Sequence, residues 1–186
     1  PFAVKALQNN NVDDGLAHVI PSLMGGMALV TDELLPGFKK MYIPAGFYIV
    51  VIYPETPLSN QAWIKDVIST QVPFYESMDH ARNLAAFVAS MYTSDMGLMS
   101  SALQQVTEQE NIAAQIPEYY EMKEKALMAG ASGFGIAGFG PSMYAVCTDS
   151  GTAKNIIDEA KILYKIKKYG TSIYLSKVNH EGAIAY

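Results

Sequence analysis

The sequence predicts an α+β fold: a ferredoxin-like split βαβ layout with extra helices inserted after its first strand. Three observations carry this. A continuous apolar run, "FYIVVIY" at 47–53, lies between Gly46 and Pro54 and has the length of a strand in a sheet interior. Residues 59–129 then change to three- and four-residue apolar spacing, the mark of helices. The C-terminal third reads strand, helix, strand, so the order from Phe47 onward is strand, helices, strand, strand, helix, strand.

Taken in order, "PFAVKALQNNNVDD" starts apolar and passes into a polar connector, as though the first element were cut from something larger. "LAHVIPSLMGG" is a short segment broken by Pro21 and Gly25-Gly26, before a strand-like "MALVT". "DELLPGFKKMYIPAG" reads as a Pro- and Gly-punctuated loop, and it marks the expected division into a small N-terminal portion, 1–35, and a compact domain, 36–186. The first long helix has Ala81, Leu84, Ala85, Val88, Met91 and Tyr92 as its apolar stripe, with Asp79, Arg82, Asn83 and Ser90 off it. A second helix is expected over 94–108 behind a Ser94/Asp95 cap, and a third follows Pro117 and ends at Gly130. "SMYAVC" is a strand. The helix in "TDSGTAKNIIDEAKILYKIKKYG" turns Ile156, Ile157, Ala160, Leu163 and Tyr164 inward and closes at Gly170, and "TSIYLSKV" is the last strand.

Composition excludes several function classes. Half of the 186 residues are hydrophobic, enough for a real core, and 13 basic residues against 18 acidic give a formal charge of -5. No block of like charge forms a nucleic-acid footprint or a polybasic membrane patch. The longest apolar run is too short to span a bilayer, and the N-terminus lacks a signal-peptide layout. Cys147 is the only cysteine, so no intrachain disulfide forms; its apolar setting, "YAVC", reads as a buried, inert thiol, and the expected compartment is the cytoplasm. His80 and His180 lack a second ligand at metal spacing. Asp79 and Arg82 read as an exposed helical pair, and Glu118, Glu121 and Glu124 as a solvated acidic face.

The chemistry-bearing stretch is "GASGFGIAGFGPSMYAV", 130–146, with five glycines and a proline in its first twelve positions. Gly135, Gly138 and Gly140 permit positive φ and close backbone approach. Two readings stand side by side: a tight β-hairpin squeezed against a helix, or a turn facing phosphates. A P-loop and a dinucleotide fingerprint both fail, since no Lys-Ser/Thr follows and the loop opens into a strand.

"GASGFGIAGFGPSMYAVC" resembles the third motif of the GHMP small-molecule kinases, and its neighbours resemble the homoserine kinase branch. They are "HVIPSLMGGMALV", "HARNLAAFVASMYTSDMGLMSSAL", "QIPEYYEMKEKALMAGA" and "IYLSKVNHEGAIAY", in register over residues 16–186. The resemblance implies ATP- and Mg²⁺-dependent transfer of the γ-phosphoryl group to the side-chain hydroxyl of homoserine or a related acceptor, a step of threonine biosynthesis. It implies Gly135, Gly138, Phe139 and Gly140 as the nucleotide-side turn, with His18, Ser59 and Lys65 on the acceptor side. It further implies that 1–35 is the end of the family's N-terminal domain, whose Gly-Leu-Gly-Ser-Ser phosphate loop the chain does not contain, and that a homodimer can form.

The chain departs from the family at its acceptor positions. Gly15-Leu16-Ala17-His18 stands where the family has His-x-Asp-Asn, Ile112 stands at an arginine position, and Ala137-Gly138-Phe139-Gly140-Pro141 replaces Ser-Gly-Ser-Gly-Pro. A lysine such as Lys65 binds a carboxylate as a point charge, whereas an isoleucine does not bind one. The chain is therefore expected to be a homoserine-kinase-like enzyme, inactive without the phosphate loop. The alternatives are a different acceptor or a GHMP-fold binding or regulatory module.

Overall fold

A computed structural model describes residues 15–32, 37–55, 71–104, 110–138 and 140–184. The chain forms two compact units, Pro1–Ala45 with Val178–Tyr186, and Gly46–Lys177. The division therefore falls ten residues beyond the 35/36 boundary read from the sequence, and the C-terminal tail joins the N-terminal unit.

In the first unit, α1 (Gly15–Met24) runs through Pro21 instead of breaking there. The ladder resumes at once, with the Gly25 amide donating to the Pro21 carbonyl at 2.9 Å. A proline removes its own N–H bond but leaves its carbonyl able to accept. The strand β1 (Met27–Asp32) pairs antiparallel with β2 (Gly37–Met41), a strand where the sequence suggested only a loop. The reason is visible in the burial: Lys39 and Lys40 are exposed, so the strand carries lysines of the kind that guard sheet edges and lacks an apolar run.

The second unit is the predicted split βαβ. Its four-stranded antiparallel sheet has β3 (Tyr48–Pro54) and β5 (Met143–Cys147) inside, with β4 (Gly133–Ile136) and β6 (Thr171–Lys177) at the edges, in the order β4-β5-β3-β6. Register places Val50 beside both Ala145 and Leu175, and Ile52 beside both Met143 and Ile173. Alternation then turns Val50, Ile52, Met143, Ala145 and Cys147 to one face, all fully buried. That face is covered by α5 (Tyr119–Met128) and α6 (Ser150–Lys167), whose Met122, Ala126, Ile156, Ala160, Leu163 and Tyr164 complete the core. Among the described residues no helix is long and apolar enough to cross a membrane.

Helix α6 starts where its cap allows. Asp149 accepts from the Thr152 amide at 2.8 Å and from the Thr152 hydroxyl at 2.7 Å, satisfying one orphan donor of the first turn. The same hydrogen bonds hold the Asp149 carboxyl below the usual carboxylate range. The helix closes two residues before Gly170: Lys168 takes the left-handed conformation, φ 62°, and its amide donates to the Lys165 and Tyr164 carbonyls. Burial raises the Cys147 thiol to about 11, with the Asp149 carboxylate adding to it, so the thiol stays protonated and inert.

Before the glycine segment come α2 (Phe74–Thr93), α3 (Met96–Gln104) and the single turn α4 (Glu110–Ala113). Asp95 caps α3, accepting from the Leu98 amide at 2.9 Å, while Ser94, φ 54°, ends α2. The inward face of α2 is not the expected stripe. Of the expected stripe Met91 is buried and Val88 half-buried, but Leu84 and Tyr92 are 56% and 58% exposed, whereas Ser90, placed off the stripe, is buried. Residues 83, 87 and 90 form a second stripe one step round the helix, and the small Ser90 lets the backbone sit close, its hydroxyl donating to the Phe87 carbonyl at 2.6 Å.

Candidate functional site

The hairpin β4–β5 is the centre of the candidate site. Both readings of the glycine segment concern the same backbone, and the hairpin reading is met: Gly133 to Ile136 pair antiparallel with Val146 to Met143. The glycines are there because neighbours leave no room. A Cβ on Gly133 would lie 2.5 Å from the Leu103 Cβ of α3, and one on Gly135 would lie 2.9 Å from the Tyr144 hydroxyl. The Ser100 hydroxyl of α3 donates to the Ser132 carbonyl at 2.9 Å and fixes the strand's entry.

The bend itself is closed by two backbone bonds. The Ala137 amide donates to the Ser142 carbonyl at 2.8 Å, and the Gly140 amide to the Ala137 carbonyl at 3.1 Å. Gly138 and Gly140 hold φ of 60° and 76°, and the Gly140–Pro141 peptide is cis. These two glycines thus answer the expectation of positive φ. Gly135 does not: it is an extended strand residue kept small by Tyr144. Gly138 is exposed, while a Cβ on Gly140 would lie 3.0 Å from Ile116 Cδ1. Among the described residues of the bend, Gly138 presents exposed backbone, and no charged side chain stands on 137, 138 or 140–142.

The expected acceptor residues are less completely placed. His18 lies on α1, in the first unit, with its side chain outside the description. Ser59, Lys65 and Phe139 lie outside the described residues. Ile112, at the family's arginine position, is 5% exposed and packs in the core with Ile116 and Tyr119. Its apolar identity is therefore a packing choice.

Other polar clusters in this unit tie helices together. Lys167 reaches Glu118 at 3.0 Å and Glu121 at 3.2 Å, so part of the acidic face is paired instead of merely solvated. Its hydrogen bonds to these two carboxylates raise the Lys167 pKa, Glu118 first. The Tyr164 hydroxyl donates to the Pro117 carbonyl at 3.0 Å, and burial, with the Glu118 charge behind it, raises its pKa. Between α5 and α6, Lys125, Met128, Asn155, Asp158 and Glu159 line a cleft. Its cation is engaged: Lys125 donates to Glu159 at 2.9 Å, a bond that raises the lysine pKa. Asp79 and Arg82 pair on the exposed side of α2. Among the described residues, no three His, Cys, Asp or Glu side chains gather to hold a metal ion.

The chain matches the family model "GHMP kinases C terminal" over residues 83–166. It is similar throughout to homoserine kinases. The homoserine kinase of Chlorobium phaeovibrioides is 29% identical over 184 residues, covering 96% of this chain and 57% of that protein. The crystal structure of homoserine kinase from Cytophaga hutchinsonii superposes with a TM-score of 0.83 at 26% identity, over 96% of this chain and 59% of the other. L. major mevalonate kinase, solved with R-mevalonate, shares the fold at a TM-score of 0.56 and 17% identity, over 78% of this chain and 46% of the other. The chain thus spans a little over half the length of the homoserine kinases it matches.

Proposed function

We propose that this chain is part of a small-molecule kinase that moves the γ-phosphoryl group of ATP to the side-chain hydroxyl of homoserine or a close analogue. The observation that carries the reading is the seated bend at Ala137–Ser142, lying in a chain similar to homoserine kinases over 96% of its length. Phosphoryl transfer is mostly positioning and charge stabilisation. Exposed backbone at Gly138, in a bend packed against Ile116 and following a strand packed against Leu103 of α3, suits the nucleotide side of such a cleft.

The described residues fit the nucleotide to this extent. Gly138 is exposed and adds no side chain over the backbone, whereas the Ala137 and Gly140 amides are committed within the bend and hold its shape. Bound ATP with Mg²⁺ would supply the phosphoryl group and neutralise its charge. The metal has no ligand cluster among the described residues, and no step is assigned to it on this unit. The family's Gly-Leu-Gly-Ser-Ser loop is not in the sequence, so turnover is expected only where such a loop is supplied.

A second reading, a changed acceptor, is favoured by one observation. Ile112 is buried where a carboxylate-binding arginine is expected, which leaves Lys65 as the cation for that role. The test is ATP consumption by the full-length protein with L-homoserine, mevalonate and sugar alcohols, in wild type and in Gly138→Asn. Asparagine tolerates the left-handed backbone but covers the bend. The variant should raise KM for ATP about tenfold, roughly 1.4 kcal/mol of binding, while its Tm stays close to wild type. Homoserine-dependent turnover supports the first reading, and turnover with another acceptor the second. Nucleotide binding without turnover would support a binding module, and absence of both would end the kinase reading.

A further inference from the structure

We infer that Val178–Ala183 is a strap and that Lys40 is the positioning residue that couples its docking to the placement of α1. The contacts all lie within the first unit. The Gly26 amide donates to the Asn179 carbonyl at 2.6 Å, and the Ala183 amide to the Leu23 carbonyl at 3.2 Å, so the tail is held at two points by the end of α1 and the turn after it. Between these points Lys40 of β2 donates to the Met24 carbonyl at 2.9 Å and to the His180 carbonyl at 2.8 Å.

The chemistry makes Lys40 more than one contact among several. The last carbonyls of a helix have no partner within it and carry its negative end, so an ammonium there is favoured. The same ammonium satisfies a carbonyl of the tail. Capping of α1 and docking of the tail therefore share one charged donor, and losing it weakens both together. Gly25 and Gly182 make the approach possible. Each holds positive φ, 67° and 73°, and a Cβ on Gly182 would fall 2.6 Å from the Gly25 amide nitrogen. The Asn179 side chain stiffens the turn of the tail by accepting from the Glu181 amide at 3.0 Å.

Since α1 carries His18, the residue implied on the acceptor side, the strap sets where that helix stands; this step rests on the proposed kinase function. The test separates the two. Amide hydrogen exchange is measured on the full-length protein in Lys40→Met and Lys40→Arg, followed by acceptor kinetics. In Lys40→Met the Gly26 and Ala183 amides should exchange faster by a common factor of about ten or more, the scale of losing one charged hydrogen bond. The β1–β2 ladder should keep its protection, and Lys40→Arg should restore most of the loss. Acceptor KM should rise with kcat within about twofold, the pattern of lost binding.

Unchanged protection at Gly26 and Ala183 would overturn the strap. A uniform loss across β1 and β2 would overturn it equally, by making Lys40 a general stabiliser of the unit. If exchange changes as expected while KM does not, the strap stands and the placement of the acceptor beside α1 fails.

Discussion

Glycines are crowded both in the hairpin of the second unit and in the strap of the first, but the neighbours differ in kind. Against Gly25 and Gly182 stand backbone atoms of another segment, which cannot rotate away. Gly133 meets the Cβ of Leu103, which moves only if α3 moves, and Gly135 meets the tip of the Tyr144 ring, which swings on its own torsions. The same residue type thus marks three stiffnesses of surroundings. What a glycine costs to replace is set by what it faces.

The largest effect is expected for Gly182→Ala. The new methyl would overlap the Leu23 carbonyl oxygen at a φ of 73°, combining left-handed strain of roughly 1–2 kcal/mol with loss of the strap's hydrogen bonds. Limited proteolysis should show the tail cut at protease levels that leave wild type intact; an uncut tail would erase the distinction between the two regions. No side-chain truncation elsewhere should rescue it.

Gly133→Ala is expected to cost less, about 1–3 kcal/mol as overpacking against α3, measured by urea unfolding. Gly135→Ala should cost less again, and here a partner can give way. In the Gly135→Ala/Tyr144→Ala pair the two changes should couple by about 0.5–3 kcal/mol, since the alanine then fills space the ring has left. Strict additivity would mean that Tyr144 is not what keeps position 135 small.

Much of the second unit was legible because its signals are local. Gly46 and Pro54 bracket β3, and the spacing from Ile156 to Tyr164 names a buried face of α6. The errors came where two local patterns fit equally. In α2 the expected stripe, of which Met91 is buried, and the one through residues 83, 87 and 90 are neighbours on one cylinder, and the buried face lies between them, at Ser90 and Met91. The strand β2 hides because Pro36, Gly37 and a Lys pair resemble a loop, and only pairing with β1 makes it a strand. Closure of α6 by Lys168 instead of Gly170 has no sequence signal, since lysine gains nothing from the left-handed region by itself.

The site divides in the same way. Positive φ at Gly138 and Gly140 follows from the sequence, because a bend between paired strands needs residues that reach that region. The role of Gly135 does not, since its reason is a tyrosine ring across the hairpin that no spacing rule reveals. Ile112 is the opposite case. Its departure from the family was visible in the letters, but only its burial shows that the position serves the core.

Beside β3 lies β6, and the register joins residues 48–54 to residues 171–177, the two ends of the second unit. Everything between them is one closed loop, and the entropy of closing a loop rises only with the logarithm of its length, about 0.6 kcal/mol for each doubling. Lengthening or trimming the helical insertion from residue 71 to 104 therefore changes that cost very little.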